Sequence, residues 1–157
     1  GEGTMTGGRL KRVREYVKNE EAFCFTYGDG LSDINISALI KFHQNHGKQA
    51  TLTAICPPGR YGAIKFGPKD IVESFKEKPD GDGSWINGGF FVLSPSVIDL
   101  IEDDQTSWEI EPLNALTKSS QIYAFKHYGF WQPMDTLREK IFLNELWNMG
   151  RAPWKIW

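Results

Sequence analysis

Asp29 stands between two glycines, directly after the short apolar run Ala22-Phe23-Cys24-Phe25-Thr26-Tyr27. A carboxylate placed this way sits at the C-terminal edge of a strand, where ligands bind in open α/β sheets. The flanking Gly28 and Gly30 let a ligand approach the backbone closely. A hard divalent cation such as Mg²⁺ takes carboxylate oxygen, and a plain Gly-Asp-Gly turn uses the same residues. Asp135 repeats the arrangement within Phe130-Trp131-Gln132-Pro133-Met134-Asp135-Thr136, after one strand and before a helix. There, Asp135 or Thr136 also serves as an N-cap. If the two carboxylates converge, they suit Mg²⁺ carried on phosphates, which uses one or two carboxylates plus phosphate oxygens.

Other polar groups sit at the ends of expected strands. In Glu77-Lys78-Pro79 the lysine is a compact charge suited to a phosphate, and Glu77 accepts hydrogen bonds from hydroxyls. The same triplet also reads as a solvated hairpin end. Asn87-Gly88-Gly89 offers an amide and bare backbone to a sugar, or forms a turn. Gly59-Arg60-Tyr61-Gly62 is a loop or a sugar wall, and Trp131 either stacks on a sugar face or fills core. No Ser/His/Asp triad, Cys/His cluster or convincing G-x-G-x-x-G occurs, and His43, His46 and His127 are read as surface or satisfied core residues.

The elements that must hold these residues follow from periodicity. Leu10, Val13, Tyr16 and Val17 fall at helical spacing and predict an amphipathic helix with a basic outer face. Ala22 to Tyr27 reads as a buried strand. Asp33 to His46 reads as a helix with Ile36, Leu39, Ile40 and His43 on one face, stopped by Gly47. Ala50 to Cys56 is a strand, and Ala63 to Phe66 with Ile71 to Lys76 is a hairpin about Gly67-Pro68. Gly89 to Leu93 and Ile122 to His127 are strands. Val97 to Ile101, Pro112 to Lys118 and Thr136 to Met149 are helices, the last with an apolar side of Leu137, Ile141, Leu143, Leu146 and Trp147. Strands alternating with helices predict an α/β domain, residues 1–157 as one unit.

The 157 residues carry a net charge of −2, with hydrophobic residues at 40%. No clustering of Lys and Arg marks a nucleic-acid or anionic-membrane partner, and no apolar run approaches the ~18 to 20 residues of a membrane span. Cys24 and Cys56 read as buried free thiols in a reducing compartment, so the expected location is the cytoplasm.

Taken in order, these segments resemble the successive blocks of the sugar-1-phosphate nucleotidyltransferases, in their glucose-1-phosphate cytidylyltransferase branch. The blocks are Thr4-Met5-Thr6-Gly7-Gly8-Arg9-Leu10-Lys11-Arg12, Tyr27-Gly28-Asp29-Gly30, Pro57 to Ala63, Glu77-Lys78-Pro79, Asn87-Gly88-Gly89-Phe90-Phe91, Trp131 to Thr136 and the closing Ala152 to Trp157. The resemblance implies a nucleotide-diphospho-sugar transferase fold: a mixed, mostly parallel sheet with flanking helices. It implies that Asp29 and Asp135 hold Mg²⁺ and act with Lys78 as catalytic residues. It further implies that Thr4, Arg9 and Gly28 contact the nucleotide, and that Tyr61, Glu77, Asn87, Gly88 and Trp131 line the sugar pocket. The implied reaction joins CTP and glucose 1-phosphate into CDP-glucose with release of pyrophosphate.

The resemblance covers the C-terminal two thirds of the family pattern. The family's opening Rossmann-like strands, and its Gly-rich loop with an Arg and a Lys that cradle the triphosphate, have no counterpart in these residues. The expectation is that the chain by itself is inactive, that its sheet has an uncovered edge, and that it forms a homo-oligomer. The alternative expectation is an inactive relative that serves as a sugar-phosphate-binding or assembly module.

Overall fold

The computed structural model describes residues 2–57, 63–76 and 85–156. The element order is α1 (Thr6–Arg12), α2 (Arg14–Val17), β1 (Phe23–Thr26), β2 (Gly30–Ser32), α3 (Ile36–His46), β3 (Ala50–Ile55), β4 (Ala63–Phe66), β5 (Val72–Lys76), β6 (Ile86–Leu93), α4 (Glu111–Lys118), β7 (Ile122–His127), β8 (Trp131–Pro133) and α5 (Leu137–Asn148). Two 3₁₀ turns, Pro68–Asp70 and Pro95–Leu100, join them. The second replaces the α-helix expected at Val97 to Ile101.

Four strands form the central sheet in the order β1-β6-β3-β7. β3 and β7 are parallel, whereas β6 runs antiparallel to both β1 and β3. β1, β3 and β7 therefore share one direction, but most of the described neighbour pairs are antiparallel, which corrects the expected mostly parallel sheet. Ile55 at the end of β3 faces Ile86 at the start of β6. The chain thus leaves and re-enters the sheet at the same end, which needs no crossover helix. The β4–β5 hairpin forms where expected, as a separate two-stranded ribbon in that excursion.

Both faces of the sheet are covered at its central strands. On one, Leu10, Val97, Ile98, Ile101, Trp108 and Leu116 pack on Ala50, Phe91 and Leu93. On the other, Ile34 and Leu39 pack on Val92, with Ile40, Phe90 and Phe125 around them. α3 begins at Ile36, where the Asn35 side chain accepts the Ala38 N–H, and it ends at Gly47 with φ 61°. That left-handed C-cap is a conformation glycine takes without strain.

Several local expectations give way. The N-terminal helix breaks at Val13, and Val13 and Tyr16 are exposed. Only one face of β1 is covered, so its alternation places Phe23 and Phe25 inward and turns Cys24 outward. The cysteines are free, but Cys24 is an exposed thiol rather than a buried one. On α5 only Leu143 is buried, while Leu137, Ile141 and Trp147 are exposed. Asn87-Gly88-Gly89 lies inside β6, beside a register shift in the β3 pairing, rather than in a turn before it. No helix among the described residues is long and apolar enough to cross a membrane.

Candidate active site

A cavity of about 430 Å³ opens at the end of β1, lined by Thr6, Arg9, Phe25, Thr26, Tyr27, Gly28, Asp29 and Glu109. One wall is α1, which docks on the 101–109 segment. The Met5 N–H donates to Asp104 O at 2.8 Å, and the Gly8 N–H donates to Thr106 O at 3.3 Å. Lys11 Nζ donates to the carbonyls of Ile101 and Glu102, and Arg12 pairs with Asp104. This contact needs glycine. A Cβ on Gly7 would stand 2.6 Å from Thr106 O, and one on Gly8 would stand 2.5 Å from Asp104 Cα. Gly7 and Gly8 therefore set how closely α1 approaches the loop, and with it the positions of Thr6 and Arg9.

At the floor, Glu109 gathers hydroxyl donors. Thr6 Oγ1 donates to it at 2.6 Å, Tyr27 OH at 2.7 Å and Ser107 Oγ at 3.0 Å. Burial by itself would raise the Glu109 pKa, but the hydrogen bonds from Thr6, Tyr27 and Ser107 outweigh it and hold the carboxyl below its ordinary range. Burial, reinforced by the Glu109 carboxylate, pushes the Tyr27 phenol well above its usual value. Glu109 escaped the sequence reading. A lone carboxylate directly after a tryptophan was the only cue, and the Thr6 and Tyr27 partners are far away in sequence.

A short ribbon that the sequence did not announce brings the two aspartates' segments together. β2 pairs antiparallel with β8, Gly30 facing Pro133 and Ser32 facing Trp131. The pairing continues one step, as the Met134 N–H donates to Asp29 O at 2.8 Å. Asp135 is the next residue. Its backbone N–H and that of Thr136 both donate to Glu139 Oε2 at 2.9 Å. Thr136 is the N-cap of α5, closing a capping box with Glu139, so the Asp135 carboxylate is not used as the cap. Asp29 and Asp135 are both exposed. Asp135 lies next to the cavity's lining rather than within it.

The remaining candidates divide. Arg9, Gly28 and Asp29 meet in the cavity. Thr4 is buried and outside the lining, and its carbonyl accepts from Arg9 Nε at 3.0 Å. On the β6 side, Trp131 Nε1 donates to Gly88 O at 2.8 Å, and Asn87 Nδ2 donates to Tyr27 OH at 3.1 Å. Asn87, Gly88 and Trp131 are thus joined to the cavity through Tyr27. Tyr61, Glu77 and Lys78 lie outside the described residues. The histidines have structural partners. His43 Nδ1 and His46 Nε2 both meet Thr51 Oγ1, at 3.0 and 2.7 Å, and His127 Nε2 lies 2.9 Å from Asp33 Oδ1.

The sequence profile of the nucleotidyl transferase family matches residues 2–136. The chain belongs to that family. It is 62% identical over all of its 157 residues to the glucose-1-phosphate cytidylyltransferase of Salmonella typhi, covering 61% of that relative. It is 34% identical over 152 residues to the mannose-1-phosphate guanyltransferase of Saccharomyces cerevisiae, covering 42% of it. The fold matches the crystal structure of HddC from Yersinia pseudotuberculosis complexed with GMP-PN, with a TM-score of 0.65 over 92% of this chain and 63% of that one, at 21% identity. The chain thus spans about 61% of the length of the first of these relatives. In this chain the sheet is mixed and flanked by helices.

Proposed function

We propose that the protein carrying this nucleotidyl transferase segment joins CTP and glucose 1-phosphate into CDP-glucose, releasing pyrophosphate. The observation that carries the reading is the bond from Met134 N–H to Asp29 O, which sets the Asp29 and Asp135 segments side by side at the mouth of a cavity that also holds Arg9. The 62% identity to the Salmonella typhi glucose-1-phosphate cytidylyltransferase supports CTP and glucose 1-phosphate as the substrates.

In the reaction an oxygen of the sugar phosphate attacks the α-phosphorus of CTP. The bond from that phosphorus to the oxygen bridging to the β-phosphate breaks, and its electron pair leaves on pyrophosphate. The attacking group is already an anion, so no general base is required. Catalysis then rests on positioning and charge stabilisation. Arg9, on α1, faces the phosphates with a permanent charge. Asn87, Gly88 and Trp131 are assigned to the sugar wall, and the family resemblance adds Tyr61 and Glu77 for the sugar and Lys78 for its phosphate. Mg²⁺, when bound, neutralises charge on the nucleotide phosphates. Asp29 and Asp135 are the residues that would hold it, and a pair of exposed carboxylates on adjacent backbone fits an ion that takes its other ligands from phosphate and water.

Gly7 and Gly8, which precede Arg9 and Lys11, belong to helix α1 rather than to a phosphate-cradling loop, so the 157 residues by themselves are expected to turn over little or no substrate. Self-association belongs to the same reading. The β4–β5 ribbon exposes Ile64, Phe66, Ile71, Val72 and Phe75, and α5 exposes Leu137 and Ile141, apolar surface that pairing between chains would cover. The free thiols fit a reducing compartment, the cytoplasm. The test is pyrophosphate release from CTP and glucose 1-phosphate with Mg²⁺, with light scattering on the 157-residue chain. Release that requires both substrates supports the reading, and none in the complete polypeptide refutes it. A stable monomer refutes the association.

A further inference from the structure

One chain of hydrogen bonds runs from the nucleotide side of the cavity to the sugar side. Thr6 Oγ1 and Ser107 Oγ donate to Glu109 Oε2, and Tyr27 OH donates to Glu109 Oε1. The Tyr27 oxygen accepts from Asn87 Nδ2, and Asn87 Oδ1 accepts from Gly89 N–H at 2.9 Å. The sequence builds the link locally. Gly89 has φ +77°, and a Cβ there would stand 2.6 Å from Tyr27 Cδ2. Only a residue without a side chain lets the Tyr27 ring lie across β6 with its hydroxyl between Glu109 and Asn87.

Charge sets the direction of every bond in this chain. Three hydroxyl donors keep Glu109 ionised at neutral pH despite its burial. An ionised carboxylate only accepts, and a phenol has a single proton, so the Tyr27 proton is committed to Glu109. The Tyr27 oxygen then has only acceptor capacity left, and Asn87 must turn its nitrogen toward it. Gly89 N–H engages the amide oxygen and fixes the same orientation from the other end. One amide hydrogen of Asn87 is left unspent among the described residues.

We infer that Glu109 is a positioning residue which, acting through Tyr27, locks the amide of Asn87 as a hydrogen-bond donor toward an oxygen of the bound sugar phosphate. This rests on the reading of Asn87 as part of the sugar wall. A neutral group at position 109 would free Tyr27 to donate elsewhere and leave the Asn87 amide held from the Gly89 end alone, so the donor facing the ligand would be less firmly oriented.

The test is calorimetric titration of glucose 1-phosphate and, separately, of CTP with Mg²⁺, into the complete polypeptide and its Tyr27→Phe and Glu109→Gln variants. The Asn87 side-chain amide is followed in the same proteins by heteronuclear NMR. Loss of one neutral bond that orients a donor predicts about five- to tenfold weaker glucose 1-phosphate binding in Tyr27→Phe, a larger loss than that of CTP. Glu109→Gln weakens glucose 1-phosphate by a similar factor. The Asn87 amide signals shift in both variants. Parent-like glucose 1-phosphate affinity in Tyr27→Phe overturns the inference. An Asn87 amide signal that does not move overturns the network itself. No glucose 1-phosphate binding in the parent overturns the functional reading and, with it, the ligand assigned to Asn87.

Discussion

Replacing Gly8 with Ala tests whether α1 is held at a set distance from the 101–109 segment. The added Cβ would stand 2.5 Å from both Asp104 Cα and Asp104 O, and 2.8 Å from Asp104 C. All three are backbone atoms, so no side chain can swing away. Ordinary carbon contacts lie near 3.5 to 4.0 Å, and about 1 Å of separation has to open. The bonds from Met5 N–H to Asp104 O and from Trp108 N–H to Thr6 Oγ1 resist that movement. Overpacking of this kind costs about 1 to 3 kcal/mol, against which alanine recovers about 0.5 to 1 kcal/mol as the better helix residue. The net expectation is up to about 2.5 kcal/mol of lost stability. The functional loss is larger, because α1 carries Thr6 and Arg9 into the cavity. A displacement near 1 Å costs on the order of 100-fold in rate. Urea unfolding and steady-state kinetics with CTP measure the two effects. Gly47→Ala is the control. No atom lies within 4 Å of its Cβ, and its φ is +61°, so it should lose about 1 kcal/mol of stability with unchanged kinetics. A Gly8→Ala protein with parental stability and parental CTP kinetics would refute the reasoning.

Burial, and then the neighbouring His46, lower the His43 pKa; burial, and then Lys48, lower that of His46. Lys48 N–H donates to His46 Nδ1, leaving Nε2 protonated to bond Thr51. The unfolded chain therefore binds more protons than the fold once the pH drops below about 6.5. This contribution is complete above that pH and is lost as pH falls through it. The urea midpoint should fall from pH 7.5 to pH 5.5, and His43→Gln should flatten the slope; an unchanged slope would contradict the neutral pair. Thr136→Ala removes one half of the α5 capping box and should cost about 0.5 to 2 kcal/mol in urea unfolding. Trp131→Phe deletes the bond to Gly88 O. It should cost about 1 kcal/mol and weaken glucose 1-phosphate more than CTP, as calorimetry would report.

Local patterns announced most elements because short-range chemistry dictates them. Gly47 stops α3, Gly67-Pro68 turns the β4–β5 hairpin, and the β3 and β6 runs are apolar enough to be central. Strand direction was not legible, since nothing near Ile86 says that the chain re-enters the sheet beside β3. The interruption of the N-terminal helix at Val13 was hidden because Val13 and Tyr16 keep helical spacing while facing solvent. Spacing also overstated the apolar side of α5, of which the described fold buries Leu143 alone. At the site, Asp29 and Asp135 stood out because each follows a strand beside turn residues. The ribbon that joins them has three residues per strand, too few for a period-two signal. Glu109 was invisible because its role comes from Thr6 and Tyr27, which only tertiary packing delivers. Gly7, Gly8 and Gly89 were visible as glycines, but the backbone and ring that demand them appear only in three dimensions.

The most direct test of the central claim is product analysis in one competition. The complete polypeptide is supplied with equimolar CTP, UTP, TTP and GTP, with glucose 1-phosphate and Mg²⁺, and the nucleotide sugars formed are identified by mass spectrometry. CDP-glucose is expected as the dominant product, and Asp29→Asn and Asp135→Asn should each abolish it while urea unfolding shows an intact fold. A different nucleotide sugar as the main product would contradict the substrate reading, and undiminished CDP-glucose in both aspartate variants would contradict the site.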